Sequence, residues 1–319
     1  MDEKKNPYCI WMVGLSGSGK TIVAEEYSQK YNAQILSSDS IREELYGDES
    51  IQGNSQDVFD MLYKRASELL KNGISIIYDA TNITRKNRSK FFNYCKQKNI
   101  QAIHHAVILC TPYNICLRRN QNRSRQVPED VIHNQMCRFN IPFFEEGFNY
   151  ITLYGWNDNF HDITINSEKQ DLHWNINNFI AMLSKMQGFN QNNHHHKLDL
   201  YAHSLKVSEI LNQLTENRAL LTAGMVHDIG KVYTKTFDEN KEAHYYNHAE
   251  VGTYTLLSNL DVLELNESEI LKCLFYVNYH MYPFSWEDNK TKEKYKKIFG
   301  ETNYDYLCLL NYADKESCK

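Results

Sequence analysis

Short apolar runs alternate with longer helical stretches along the first 185 residues of the chain. The runs lie at residues 9–13, 34–37, 74–78, 106–110 and 163–165. Several are too continuously apolar for a strand with one face in water, which favours a parallel sheet covered by helices on both faces. Residues 1–188 are therefore predicted to form an α/β domain.

The pattern changes after a polar stretch at residues 188–193, which follows an amphipathic helix predicted near residues 172–186. Strand signals disappear there, and helical periodicity predicts helices at residues 198–214, 218–228, 249–260, 267–281 and 304–313. Asn266 and Glu269 have the spacing of a capping box at the start of the fourth of these helices. We place the boundary after residue 188 and predict an all-α domain over residues 189–319.

Length, charge and cysteine content narrow the class of protein. A chain of 319 residues exceeds the size at which one hydrophobic core usually stops growing, which agrees with two domains. The formal net charge is -5, and the whole acidic excess lies in residues 189–319. This excludes bulk electrostatic coating of nucleic acid, so any polynucleotide contact is expected to be local. The eight cysteines form no CxxC pair, and no signal peptide or long apolar run is evident, so we expect reduced thiols, a cytoplasmic location and no membrane segment.

A phosphate-binding motif follows the first apolar run. Residues 14–21 read GLSGSGKT, which satisfies GxxxxGK[ST] between a predicted strand and a predicted helix. Backbone amides around Gly17, Ser18 and Gly19 can surround a polyphosphate, while Lys20 meets its outer phosphates and the Thr21 hydroxyl is offered to Mg²⁺. We expect this segment to bind ATP, or another nucleoside triphosphate, with Mg²⁺.

Residues after the second and third runs could complete a phosphoryl-transfer site. Asp39 and Arg42 are three apart, hence on one face of a first helical turn. A carboxylate there can take the proton of an acceptor alcohol, and a guanidinium can hold an acceptor phosphate. The alternative is that Asp39 is an N-cap and Arg42 a solvated charge. Asp79 follows the third run and could order Mg²⁺ or the loop.

Four arginines fall within eight positions between residues 118 and 125. Arg119 and Arg123 are four apart, and we expect them on one helical face. Such a run is either a solvated charged helix or a lid whose cations cover the phosphates of ATP.

These motifs together resemble a known family. GLSGSGKT, SDSIR, DATN and RRNQNRSRQVP occur in the order found in the kinase domain of the bacteriophage polynucleotide kinase family, over most of residues 8–150. The resemblance implies that Lys20 and Thr21 bind ATP and Mg²⁺, that Asp39 is the general base, and that Arg42 grips the acceptor end. It also implies that Arg119 and Arg123 are lid arginines. The spacing around Asp79 is one residue longer than in some relatives, and the GLSGSGKT loop is also similar to that of adenylylsulfate kinases.

Histidines concentrate in the second part of the chain, which holds eight of the thirteen. Imidazoles and carboxylates from several helices can act together as ligands of one or two divalent metals. We interpret His244 and the run at 194–196 as structural or solvent-facing. The pair at 161–162 has no helical partners and is not expected to bind metal.

The order of these residues resembles the HD phosphohydrolase superfamily over nearly all of residues 196–315. The resemblance implies a first metal site formed by His203, His227, Asp228 and Asp314. It also implies that His248 and His280 either complete a second metal site or contact phosphate. Lys231 would hold the scissile phosphate. The expected ion is Mn²⁺, Fe²⁺, Ni²⁺, Co²⁺ or Zn²⁺, which lowers the pKa of a bound water to about 7.

An α/β P-loop kinase domain followed by an all-α HD domain suggests a hypothesis for the whole chain. RNA cleavage often leaves a 5'-hydroxyl and a 2',3'-cyclic phosphate, and one domain would repair each end of an RNA or DNA strand before a separate ligase acts. One alternative is a small-molecule kinase, of the adenylylsulfate or nucleoside type, joined to an HD nucleotide phosphohydrolase. Another is a regulatory module in which the P-loop domain senses ATP.

Overall fold

The computed structural model describes residues 6–48, 51, 53–123, 125–155, 163–165, 175–192 and 198–319. The chain divides into two compact units. The first consists of Met1–Gln135 and Pro142–Asn166, and the second of Met136–Ile141 and Ser167–Lys319. The boundary predicted after residue 188 therefore falls inside the second unit.

A mixed sheet with strand order β2-β3-β1-β4-β5-β6 organises the first unit. Its strands are β1 Tyr8–Val13, β2 Gln34–Ser37, β3 Ile76–Asp79, β4 Ile103–Leu109, β5 Tyr150–Tyr154 and β6 Ile163–Ile165. The first five are parallel, as predicted for this domain, whereas β6 runs antiparallel to β5 at the edge. The interpretation of residues 163–165 as a parallel strand was wrong, and the apolar pattern missed β5.

Helices connect the strands of the first unit. They are α1 Lys20–Tyr31, α2 Ser38–Tyr46, α3 Ser55–Lys71, α4 Arg85–Gln97, α5 Tyr113–Gln121 and α6 Glu129–Met136. Alternation along β1 separates the two faces of the sheet: Ile10 and Met12 share a buried cluster with Val23 and Tyr27 of α1. On the other face, the ring of Trp11 packs against Phe91 and Phe92 of α4. Helices therefore cover both faces, and the loops that follow β1, β2 and β3 meet at the carboxyl edge.

The second unit is helical. Its helices are α7 Ile176–Ser184, α8 Leu200–Asn212, α9 Arg218–Val226, α10 Lys231–Thr234, α11 His248–Leu257, α12 Glu267–Tyr279, α13 Asn289–Phe299 and α14 Glu301–Ser317. The periodic pattern predicted α7, α8, α9, α11, α12 and α14, and the Asn266 and Glu269 capping box is confirmed. One short antiparallel pair, β7 Thr236–Phe237 with β8 Ala243–His244, departs from the expectation of helices alone. Among the described residues, no helix is long and apolar enough to cross a membrane.

Two hydrogen-bonded connections explain why the second unit extends beyond the predicted boundary. The side chain of Asn278 on α12 is buried. Its Oδ1 accepts a hydrogen bond from the Ile141 backbone amide at 3.0 Å, and its Nδ2 donates one to the Phe139 backbone carbonyl at 3.0 Å. The second connection lies at the start of α7, where the Asn178 side chain donates to the Asp261 carboxylate at 2.7 Å. Both connections join residues distant in sequence, which a periodic pattern cannot report.

Candidate functional site

The loop between β1 and α1 has a backbone that only glycine adopts easily. Gly17 and Gly19 have φ values of 82° and 100°, in the left-handed region. A Cβ atom at Gly17 would lie 2.3 Å from the Cys116 carbonyl oxygen, so backbone from α5 already fills that space. These two glycines therefore shape the loop that leads into the N-terminus of α1.

Cationic side chains and an unsatisfied hydroxyl surround this loop. Lys20 Nζ donates to the Leu15 carbonyl at 2.7 Å, and Arg119 Nη1 donates to the Ser18 carbonyl at 3.1 Å. Burial lowers the pKa of Lys20, against the opposing attraction of Asp79. The Ser18 hydroxyl is buried and has no hydrogen-bond partner among the described residues. A helix N-terminus, two cations and an unpaired donor fit a polyphosphate.

Asp79 lies at the carboxyl end of β3, beside Thr21. The Thr21 hydroxyl donates to Asp79 Oδ2 at 3.5 Å. Burial raises the pKa of Asp79, while Lys20 opposes the shift. A hydroxyl and a carboxylate are the hard oxygen donors that Mg²⁺ prefers, so these two residues fit that ion. Asn82 braces the turn behind them through bonds from its amide to the Met12 and Tyr78 carbonyls at 2.9 and 3.1 Å.

Asp39 lies in the first turn of α2, after β2. The N-cap of this helix is Ser37, whose hydroxyl accepts from the Asp39 amide at 3.2 Å, so the alternative that Asp39 is the N-cap was wrong. Asp39 Oδ1 lies 2.5 Å from Arg42 Nη1 and 3.6 Å from Arg125 Nη1. The Asp39 side chain is 51% exposed. A carboxylate between two guanidinium groups therefore faces solvent at the same sheet edge as the loop.

Arg119 and Arg123 do not share a helical face, contrary to the prediction from their spacing. Helix α5 ends at Gln121, so Arg119 lies on the helix and Arg123 lies beyond its end. Arg123 still acts on the site, since its positive charge adds to the effect of burial in lowering the pKa of Lys20 and opposes the effect of burial in raising that of Asp79. The loop after α5 is held by Asn120, which donates to the Val127 carbonyl at 2.8 Å and accepts from the Val127 amide at 2.9 Å.

The second site is built around Asp228, and the surrounding residues come from α8, α11, α14 and the ends of α9 and α12. Three groups of residues offer ligand atoms that lie within 4.8 Å of one another; they are His203 with His227 and Asp228, Asp228 with His248 and His280, and His203 with Asp314 and Cys318. Asp228 belongs to two of the groups. All six predicted residues are thus brought together, and Cys318 joins them.

The two oxygens of Asp228 face different histidines. Oδ2 lies 3.5 Å from His203 Nε2 and 3.3 Å from His227 Nε2. Oδ1 lies 3.2 Å from His248 Nε2 and 3.7 Å from His280 Nε2. A carboxylate in this arrangement can bridge two cations, one on each side.

Backbone carbonyls orient three of the imidazoles. The Nδ1 atoms of His227, His248 and His280 lie 2.9, 2.8 and 2.8 Å from the carbonyls of Gly224, Tyr245 and Val277. Because a carbonyl only accepts, each Nδ1 carries the proton when the ring is neutral, and each Nε2 keeps its lone pair for a metal. These carbonyl partners, each three residues before its histidine, were not predicted from the sequence.

The fourth imidazole, that of His203, and the backbone carbonyl of Asp314 both contact the Ser317 hydroxyl. His203 Nδ1 lies 3.0 Å from the Ser317 hydroxyl, which donates to the Asp314 carbonyl at 2.6 Å. Lys206 donates to the Ser317 carbonyl at 3.0 Å and ties the end of α14 to α8. Asp314 Oδ1 lies 3.2 Å from His203 Nε2. Sequence reasoning missed Ser317, although its spacing of three residues from Asp314 places both near one helical face.

Electrostatics also favour a cation at this site. Burial lowers the pKa of His203, but Asp228 and Asp314 outweigh it and raise the pKa to about 9. His227 Nε2 is buried and has no hydrogen bond among the described residues, although Asp228 lies nearby. Imidazole nitrogens with carboxylate oxygens suit Mn²⁺, Fe²⁺, Co²⁺, Ni²⁺ and Zn²⁺. The residues present therefore fit one or two divalent metals.

Lys231 lies beside the carboxylate that these metals would share. Its Nζ is 2.7 Å from Asp228 Oδ2 and donates to Gln191 Oε1 at 3.0 Å. The Tyr245 ring lies 5.5 Å below the ammonium group. Gln191 is buried, so part of the predicted linker is a wall of this site, which its polar composition did not indicate.

The other histidine predictions have separate outcomes. His244 lies on β8, where its Nε2 is 3.3 Å from Asp238 Oδ2, and it belongs to none of the ligand groups among the described residues. The run at 194–196 and the pair at 161–162 lie outside the described residues.

Comparisons with known proteins agree with these two sites. Residues 9–142 match the AAA domain family described as AAA_33, and residues 200–317 match the HD domain family. The L-seryl-tRNA(Sec) kinase of Methanococcus maripaludis is 29% identical over 180 residues, covering 54% of this chain and 65% of that protein. Protein kti12 of Schizosaccharomyces pombe is 24% identical over 146 residues, covering 42% of this chain and 51% of that protein.

Among solved structures, one of the Pnkp1/Rnl/Hen1 RNA repair complex is 19% identical, with 52% of each chain covered and a TM-score of 0.37. This chain spans less than two thirds of the length of either sequence relative. The matched ranges coincide with the two sites described above. The chain therefore combines a P-loop kinase-like domain with a helical HD domain.

Proposed function

We propose that this protein heals broken RNA or DNA ends, by phosphorylating 5'-hydroxyl ends with ATP and hydrolysing 2',3'-cyclic phosphate or 2'- or 3'-phosphate ends. The observation that carries the proposal is the pairing, in one chain, of two sites. One presents Asp39 between Arg42 and Arg125 at the edge of a phosphate-binding loop. The other gathers histidines around Asp228.

In the kinase reaction, Asp39 accepts the proton of the acceptor hydroxyl while its oxygen attacks the γ-phosphorus of ATP. The bond from the γ-phosphorus to the bridging oxygen breaks, and ADP leaves. Lys20 and Arg119 lie where they can hold the phosphates. An acceptor phosphate next to the reacting hydroxyl would compete for Arg42, which would release Asp39 from its 2.5 Å ion pair and leave it available as the base.

In the hydrolytic reaction, a divalent metal held at this site would lower the pKa of water, the nucleophile that displaces an ester oxygen from phosphorus. The residues that would hold one ion are His203, His227, Asp228 and Asp314, and Asp228 with His248 and His280 would hold another. Lys231 Nζ lies 2.7 Å from Asp228 and can hold a phosphate oxygen beside that position. Its neighbour Gln191 keeps the ammonium group there.

Three observations support a strand end as the acceptor. The Asp39 side chain is 51% exposed, so the end of a polymer can reach it. One relative is named as a kinase of L-seryl-tRNA(Sec), a substrate carried on RNA. The balance of charge in residues 1–188 also suits recognition of an end, where few phosphates are held, better than tracking along a groove.

The test uses an RNA oligonucleotide with a 5'-hydroxyl and a 2',3'-cyclic phosphate, incubated with ATP, Mg²⁺ and Mn²⁺, with both ends followed by mass. Asp39→Asn is expected to abolish only 5' phosphorylation, and Asp228→Asn only 3' processing, so each variant is the control for the other. Phosphorylation of adenylylsulfate or a nucleoside with the oligonucleotide untouched would overturn the proposal. Full 5' phosphorylation by Asp39→Asn would also contradict it and favour a regulatory role for the P-loop domain.

A further inference from the structure

Cys318 lies beside the metal-binding residues of the HD domain. Its sulfur, one atom of His203 and one carboxylate oxygen of Asp314 all lie within 4.8 Å of one another. Asp314 and Cys318 are four residues apart at the end of α14, so the helix presents both on one face. Ser317 lies between them and bonds to His203 and to the Asp314 carbonyl, which fixes the end of this helix against the imidazole.

A buried nitrogen on the same side of the site points to a cation there. His227 is 0% exposed, and its Nε2 has no hydrogen bond among the described residues. This nitrogen lies 4.0 Å from Asp314 Oδ1 and 3.3 Å from Asp228 Oδ2. Because Nδ1 is engaged by the Gly224 carbonyl, the lone pair of Nε2 faces the two carboxylates, an arrangement that a divalent ion satisfies.

The surroundings of Cys318 differ from those of the chain's other cysteines. Cys9, Cys95, Cys110, Cys116 and Cys273 are buried. Cys137 and Cys308 are half-buried, as Cys318 is, but neither belongs to a potential metal-binding group among the described residues. Cys308 lies on α14, ten residues before Cys318, which directly follows the last residue of that helix. It therefore provides a matched control close to Cys318 in the chain.

We propose that Cys318 is a further ligand of the HD metal, binding through sulfur on the side formed by His203 and Asp314. The S–H proton passes to solvent as the metal–sulfur bond forms, and no oxidation state changes. A thiolate donor favours Zn²⁺ and Co²⁺ over Mn²⁺, since Mn²⁺ prefers oxygen ligands. The proposal requires metal binding by the HD domain and is independent of whether the substrate is a strand end.

The direct test is the absorption spectrum of the full chain loaded with Co²⁺. Histidine and carboxylate ligands alone give weak visible bands, whereas a thiolate adds an intense charge-transfer band in the near ultraviolet. We expect this band in the wild type and in Cys308→Ser, and its loss in Cys318→Ser with the visible bands retained. A wild type with visible bands but no charge-transfer band, or an unchanged band in Cys318→Ser, would overturn the proposal. Absence of all cobalt bands would instead refute metal binding by the domain, and the proposal with it.

Alkylation of the cysteines provides a second measurement, which uses the wild-type protein and requires no variant. Iodoacetamide labelling of each cysteine is followed by peptide mass, with and without Zn²⁺. We expect Zn²⁺ to slow the labelling of Cys318 at least tenfold while Cys308 labels at an unchanged rate. Equal rates at Cys318 with and without Zn²⁺, while Zn²⁺ binding is verified by metal analysis, would contradict the proposal.

Discussion

His248 Nε2 and His280 Nε2 lie 3.1 Å apart, with Asp228 Oδ1 3.2 Å from the first and 3.7 Å from the second. Both Nδ1 atoms face carbonyl oxygens, so each neutral ring directs the lone pair of its Nε2 towards the other. Two lone pairs at this distance repel unless a proton or a cation lies near them. Two nitrogens bound to one ion, at metal–nitrogen distances of about 2.1 Å, come this close without penalty.

Removal of metal is therefore expected to destabilise α11 and α12. A ligand that binds only the folded state raises the free energy of unfolding by about 2.7 kcal/mol when its concentration is one hundred times its Kd. Chelation of the metal removes this contribution. Hydrogen exchange measured by mass spectrometry checks the prediction: peptides from α11 and α12 should exchange faster in EDTA than in Mn²⁺ or Zn²⁺. Peptides from β1 and β4 are the internal control and should not respond to chelation. Equal exchange of the α11 and α12 peptides in both conditions would contradict the prediction.

Ser317 is expected to support metal binding without contacting the metal. Its hydroxyl lies 3.0 Å from His203 Nδ1 and holds the ring in place. Loss of such a partner typically weakens metal affinity about 10–100-fold. Ser317→Ala should therefore weaken Mn²⁺ binding by that factor in a calorimetric titration, and Ser317→Thr, which keeps the hydroxyl, should restore most of it. Similar affinities for the alanine and threonine variants would show that the hydroxyl has no such role.

Local patterns and a family resemblance explain what could be predicted from this sequence. The GLSGSGKT loop and the strand before it form a contiguous motif whose chemistry depends on residue type and spacing, whereas the histidines with Asp228 were predicted through their resemblance to the HD phosphohydrolase superfamily. Strand β5 was missed because its sequence, YITLY, interrupts the apolar run with Thr152 and carries tyrosines at both ends. Helix α13 was missed because lysines dominate its sequence, NKTKEKYKKIF.

Contacts between distant residues explain what could not be predicted. The approach of Arg125 to Asp39 and that of Gln191 to Lys231 join residues 86 and 40 positions apart, respectively. No periodicity connects such pairs, because their approach depends on how loops pack. The expectation that Arg119 and Arg123 share a helical face failed for a local reason, since α5 ends at Gln121.

Arg125 is expected to contribute to binding of the acceptor in the kinase reaction. Its guanidinium lies 3.6 Å from Asp39 Oδ1, where it can hold an acceptor phosphate beside the reacting hydroxyl. Hydrogen bonds to charged groups contribute about 1.5–3 kcal/mol, so Arg125→Ala should lower kcat/KM for the 5'-hydroxyl oligonucleotide about 10–100-fold. Arg125→Lys should recover only part of the loss, because an ammonium group lacks the planar fork. The exposed Arg118 is the matched control, and an equal loss in Arg118→Ala would indicate a general charge effect.

His104 is expected to make the first unit sensitive to acid. Its Nδ1 accepts a hydrogen bond from Trp11 Nε1 at 3.2 Å, so protonation of that nitrogen would place two donors against each other. Burial lowers the pKa of His104 to about 4. The unfolded chain, with a pKa near 6.5, binds the proton first as the pH falls. The stabilisation from neutral His104 is therefore complete above about pH 6.5. As the pH falls from about 6.5 to about 4, the free energy of unfolding decreases by about 3 kcal/mol as this stabilisation is lost.

The measurement is the free energy of opening for peptides from β1 and β4, obtained from hydrogen exchange at a series of pH values and corrected for intrinsic rates. His104→Gln keeps an acceptor for Trp11 but does not titrate, so its loss of stability on acidification should be smaller by about 3 kcal/mol. His105, whose pKa burial also lowers to about 4, accounts for part of the remaining loss. His244→Gln is the control, since this residue is on β8 of the second unit. If His104→Gln and the wild type lost the same stability on acidification, protonation of His104 would not be the origin of the acid sensitivity.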